Sequence, residues 1–144
     1  MLSTMGNMPI FGNILVEQTV EALRGRLPDG WDASFVKTAE GTSPAVPAAM
    51  VVLRKGRSAA NLRVEAKSRF EPKDVDYLAA TLQPTPEQPV LIAAPFLSPR
   101  TQERLRSRGF SYADLTGNAR LTLTEPGLFI ETTGARENPA PSSR

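Results

Sequence analysis

An α/β fold with a mixed central sheet flanked by helices is what the sequence predicts, and three observations carry that prediction. Asn61 to Phe70, N-L-R-V-E-A-K-S-R-F, alternates Leu62, Val64 and Ala66 with Arg63, Glu65 and Lys67. That is the period-two pattern of a strand with one apolar and one charged face. Val90 to Ala94 is uniformly apolar, as expected of a strand covered on both sides. Between such strands lie stretches whose apolar residues recur at helical spacing, and strands alternating with helices imply helices packed on the faces of one sheet. The strand that holds Glu65 is expected near its middle, with Val64, Ala66, Val90, Leu91 and Ile92 in the core.

Residues 1–13 mix Gly6, Pro9 and Gly12 with apolar side chains and read as a loose arm, with Asn13 able to cap a helix that starts at Ile14. From Ile14 onward, Val16, Val20, Leu23 and Leu27 form one helical stripe, ended by Pro28-Asp29-Gly30. Trp31 to Thr38 reads as a strand, with Trp31, Ala33, Phe35 and Lys37 toward one side. A Gly-Ser-Pro loop spans Ala39 to Pro47. Ala48 to Leu53, the turn Arg54 to Ser58 and the Glu65 strand make an antiparallel hairpin. Glu71-Pro72-Lys73 opens a second helix with Val75, Leu78, Ala79 and Leu82 on its apolar face. After the proline-rich turn Gln83 to Pro89 and the strand Val90 to Ala94, Ser98 caps a third helix, Arg100 to Arg108, stopped by Gly109. Phe110 to Leu115, Ala119 to Thr124 and Leu128 to Thr132 read as extended segments. Residues 14–136 make one domain, and 137–144, with no large apolar residue, read as a tail or linker.

Composition narrows the chemistry. The chain of 144 residues has no cysteine and no histidine, which excludes thiolate or imidazole zinc sites, cysteine nucleophiles and Ser-His-Asp triads. Catalysis would have to use carboxylates, lysine, hydroxyls or an oxygen-bound metal. The apolar runs fall far short of a membrane span, and Met1-Leu2-Ser3-Thr4-Met5 lacks the basic front and apolar core of a signal peptide, so the chain reads as cytoplasmic. A net charge of +2 does not announce a nucleic-acid binder, and any such role must come from local clustering.

Glu65 and Lys67 are the first candidates. An acid and an amine two residues apart on a strand point the same way. In a cleft they can hold a divalent metal through the carboxylate while the ammonium meets a phosphate; on an open edge they are ordinary solvated charges. Glu17 and Glu21 lie one turn apart on the first helix, where a wet face explains them equally well. Arg100, Arg104 and Arg108, with Arg106 nearby, put a basic stripe on the third helix that suits DNA phosphates or plain solvent. Lys67 and Arg69 belong with them as candidate phosphate contacts. Asp114 and Asn118, on either side of Gly117, read first as a turn whose side chains satisfy local backbone groups, and second as a contact surface.

With V-E-A-K on the second hairpin strand, followed by a helix, the buried V-L-I-A-A strand, a helix and a strand, the chain resembles the restriction-endonuclease-like fold of the PD-(D/E)XK nucleases. The resemblance implies a site in which Glu65, Lys67, an acid of the first helix (Glu17 or Glu21) and an Asp at the start of the hairpin surround magnesium. That Asp is missing: Ala48, Ala49 and Met50 stand near its place, and no acid occurs from Gly41 to Ala60. The segments V-E-A-K-S-R-F, V-L-I-A-A-P-F-L-S-P-R-T-Q-E-R-L, G-F-S-Y-A-D-L-T-G-N-A-R-L and P-G-L-F-I-E-T-T-G-A look like the N-terminal domain of actinobacterial regulator-like proteins, in which a winged helix comes next, and are distantly similar to abortive-infection antitoxins. The resemblance implies a catalytically degenerate nuclease-like domain serving as a DNA-associated or transcription-regulatory module, with DNA as partner and no metal or other cofactor. Glu65 is then expected to pair with Lys67, or Lys67 with Glu17 or Glu21. Two alternatives stand beside it: an active magnesium-dependent endonuclease, and a protein-interaction or dimerisation domain of a regulator, with a homodimer among the partners considered.

Overall fold

The computed structural model describes residues 3–37, 49–124 and 127–139. The elements run in the order α1 (Ser3–Arg24), β1 (Trp31–Lys37), β2 (Ala49–Lys55), β3 (Ser58–Ala66), α2 (Pro72–Ala79), β4 (Val90–Ala94), α3 (Pro99–Ser107), β5 (Ser111–Asp114), β6 (Ala119–Thr124) and β7 (Gly127–Thr132). The fold is α/β, a curled mixed sheet of seven strands in sequential order with three helices. β1-β2-β3 and β5-β6-β7 are antiparallel, and β3, β4 and β5 run parallel.

The parallel pairs explain where the helices go. A parallel neighbour needs a crossover, which α2 supplies between β3 and β4 and α3 between β4 and β5. Two right-handed crossovers stepping the same way across a sheet put both helices on one face. Phe70, Val75, Ala79, Leu97 and Leu105 accordingly pack with Val90, Ile92, Ala94 and Tyr112 in one cluster. On the other face the α1 stripe of Leu15, Val16, Val20 and Leu23 meets Ala33, Val51, Leu53, Leu62, Val64, Leu91, Ala93 and Leu121. β3 is third of the seven strands, bonded to β2 and β4, and β4 is buried along its whole length, as its apolar run predicts.

The helix starts rest on local chemistry. Asp74 accepts a hydrogen bond from the Glu71 N–H at 2.8 Å, and Ser98 Oγ accepts one from the Thr101 N–H at 3.2 Å.

Several boundaries differ from expectation. α1 begins at Ser3, so residues 3–13 of the expected loose arm 1–13 are helical: a proline inside a helix removes one backbone bond, and extending a patterned helix is cheap compared with starting one. The hairpin turn is only Gly56-Arg57, and β3 stops at Ala66. Thr38, the loop 39–47, Ala48 and the tail residues 140–144 lie outside the described residues. Among the described residues no helix is long and apolar enough to cross a membrane.

Candidate functional site

Glu65 lies next to Ile92 across the β3–β4 ladder, and Ile92 belongs to the cluster under α2 and α3. Glu65 therefore faces α2 and α3, while its neighbours Val64 and Ala66 face α1. Its carboxylate pairs with Arg63 Nε at 3.3 Å, both side chains about three-quarters buried. The sequence pointed to Lys67 as its partner; Arg63 wins because it sits two residues earlier on the same face, within the regular strand. Lys67 comes just after the last strand residue. Its N–H still donates to the Ala93 carbonyl at 3.0 Å, but its exposed ammonium has no hydrogen bond or ion pair among the described residues.

Glu17 and Glu21 are not brought to Glu65. α1 packs on the opposite face of the sheet, and both acids are on its exposed side, Glu21 in an ion pair with Arg24 at 2.9 Å. Of the positions expected for a hairpin Asp, Ala48 is outside the described residues, Ala49 is buried against the α1 side, and Met50 is opposite Arg63. Magnesium takes oxygen ligands in near-octahedral order, usually more than one carboxylate. One carboxylate already held by a guanidinium does not fit that need, and among the described residues no group of three or more acids could hold a metal ion.

The arginine stripe on α3 is also partly spoken for. Arg104 and Arg108 both pair with Asp76 on α2, Arg108 at 3.0 Å, so two of the three stripe cations clamp the helices together. Arg106 donates to the Tyr112 hydroxyl at 3.1 Å. Arg100, in the first turn of α3, is exposed and unpaired among the described residues. Asp76 is not singled out by the sequence reading, although an acid beside the apolar face of one helix and arginines four apart on the next was the available signal.

A cleft of about 480 Å³ lies at the C-terminal ends of β3 and β4, lined by Ser68, Arg69, Glu71, Pro95, Ser98 and Thr101 among others; Lys67 precedes Ser68 in the chain but does not itself line the cleft. The first turns of α2 and α3 frame it. In open sheets with parallel strands, ligands bind outside the carboxyl ends of the strands. The helix starts here are already capped: Pro72 and Pro99 have no N–H, the Asp74 N–H donates to the Glu71 carbonyl and the Thr101 N–H to Ser98 Oγ. Arg69 bonds Glu71 through Nε at 2.8 Å, which leaves its other guanidinium N–H donors for a ligand.

Asp114 and Asn118 form a buried turn. The Asp114 carboxylate accepts five hydrogen bonds: from the Leu97 N–H at 2.9 Å, the Thr116 N–H and hydroxyl at 2.8 Å each, the Asn118 N–H at 3.1 Å and the Asn118 amide at 2.8 Å. The segment after β7 docks on this turn. Gly134 N–H donates to Asn118 Oδ1 at 2.7 Å, and Ala135 N–H to Thr116 Oγ1 at 3.0 Å. A few residues on, Asn138 reaches the lining of the cleft. Asp114 and Asn118 are both almost fully buried, and their side chains are used within this turn and its docking segment. No protein-family model matches the chain, and no curated protein or solved structure is significantly similar to it.

Proposed function

We propose that this chain is a restriction-endonuclease-like domain that holds a nucleic-acid phosphate at the carboxyl ends of β3 and β4 without cutting it, as a DNA-associated regulatory module. The observation that carries the reading is the division of labour around the end of β3: Glu65 is tied to Arg63, while the Lys67 ammonium is unpaired among the described residues and the next residues, Ser68 and Arg69, line a cleft between two helix starts. A free ammonium and the remaining guanidinium donors of Arg69, which lines the cleft, suit a phosphate. Cleavage would need a second carboxylate near Glu65 to share a metal, and none of the acids expected there faces it. The element order, with the E-x-K at the end of the second hairpin strand, supports the nuclease-like subtype.

An electrophoretic shift on duplex and branched DNA, with and without magnesium, separates the readings. Salt-sensitive retention without products supports this one. Magnesium-dependent products would favour an active endonuclease, and no retention a protein-interaction module. The last has one observation of its own in Tyr77, which stands 83% exposed on α2.

A further inference from the structure

β7 pairs with β6 from Ala119↔Thr132 to Thr124↔Gly127, and among the described residues no strand pairs with its outer edge. The two edge strands of the sheet differ in kind. β1, W-D-A-S-F-V-K, carries an acid and a base; β7, G-L-F-I-E-T, has no lysine, arginine or proline. Charges and prolines are the devices that keep a sheet edge from pairing with another chain. The one charge on β7, Glu131, is already engaged by Arg120 at 3.2 Å. Leu128 and Ile130 pack against the α1-side core yet stay partly exposed, and Phe129 on the other face is 57% exposed, with the Arg120 guanidinium 5.0 Å from its ring centre. We propose that the β7 edge is a self-pairing seam, where a second copy of this chain adds its own β7 antiparallel and continues the sheet across a two-fold axis.

The pleat restricts the register. Residues directly opposite in an antiparallel pair share a face, so a two-fold axis normal to the sheet must run midway between a residue and its own copy. Centring on Phe129 sets the two Phe129 rings against each other, Leu128 against Ile130, and Glu131 against Gly127. Aromatic meets aromatic on one face, aliphatic meets aliphatic on the other, and no like charges face each other. Centring on Ile130 would instead set Phe129 against Glu131, and centring on Leu128 would set Phe129 against Gly127. A six-residue seam is small beside the roughly 1,200–2,000 Å² of a stable interface. The dimer is therefore a reversible one that forms as concentration rises.

The chain has no cysteine, so one introduced thiol reports on one position. Opposed Cβ atoms in antiparallel strands are about 4.5–5.5 Å apart, within small adjustment of a disulfide. Under mild oxidation Phe129→Cys should form a covalent dimer several-fold faster than Tyr77→Cys, although Tyr77 is the more exposed of the two. Glu131→Cys, two residues off the axis, should lag as well. In sedimentation equilibrium the unmodified chain should move from one toward two chain masses as concentration rises, and Phe129→Lys, which sets two ammonium groups face to face, should stay at one while keeping its circular dichroism spectrum. Cross-linking at position 129 no faster than at 77, or a single-chain mass at every soluble concentration, overturns the seam.

Discussion

Backbone N–H groups flank both oxygens of the Asp114 carboxylate, Leu97 on one and Thr116 and Asn118 on the other, so Asp114→Asn must turn its amide N–H₂ toward groups that can only give protons. The loss should be about 2–3 kcal/mol in a denaturant titration, the cost of leaving buried partners unsatisfied. Gly134 tests the same turn from the other side. A Cβ there would lie 2.3 Å from the Thr116 carbonyl oxygen and 2.7 Å from the Asn118 nitrogen, both backbone atoms that cannot swing away. Gly134→Ala should therefore cost about 1–3 kcal/mol, as overpacking does. Gly117 is fixed differently, by a φ of +111° that side-chain-bearing residues rarely adopt. The turn itself was legible in D-L-T-G-N, because Asx and Thr chemistry is local. Its docking on Gly134 and Ala135 was not, because those bonds join residues 16 and 19 positions apart.

Among the elements, β3 and the α2–α3 pair are the most informative to perturb. Val64 is 7% exposed on a strand bonded on both sides, and Val64→Asp would bury a carboxylate with no partner. Loss of the cooperative thermal transition is expected, and a melt like that of the parent would contradict the burial of β3 within the sheet. Arg104 shares Asp76 with Arg108 and is partly exposed, so Arg104→Ala should cost at most about 1 kcal/mol. It should also leave the salt dependence of DNA binding unchanged, since that guanidinium is occupied. Strand periods and helix stripes made the element order readable. What the sequence could not convey was pairing between elements: four-residue spacing put Arg100, Arg104 and Arg108 on one face without revealing that Asp76 of the neighbouring helix meets two of them. The start of α1 was hidden for a different reason, since Gly6, Pro9 and Gly12 are local breakers while the helix they join is stabilised further along.

For the whole molecule, the arrangement places α1 and its acids on one side of the sheet and the Glu65 side chain on the other, so the carboxylates that a metal would need are kept apart. The resemblance to the PD-(D/E)XK nucleases implied the opposite, because an element order and one E-x-K do not say which face a side chain takes. The proposed phosphate site is the cleft at the carboxyl ends of β3 and β4, whose lining begins one residue after Lys67. The most direct measurement is the slope of log affinity against log salt for a labelled duplex, compared between the unmodified chain and Lys67→Ala, with magnesium present throughout. A phosphate held by Lys67 predicts weaker binding in the variant, a slope smaller by about one, and intact DNA in both samples. An unchanged slope and affinity, or nicked DNA that Glu65→Ala leaves uncut, would contradict it.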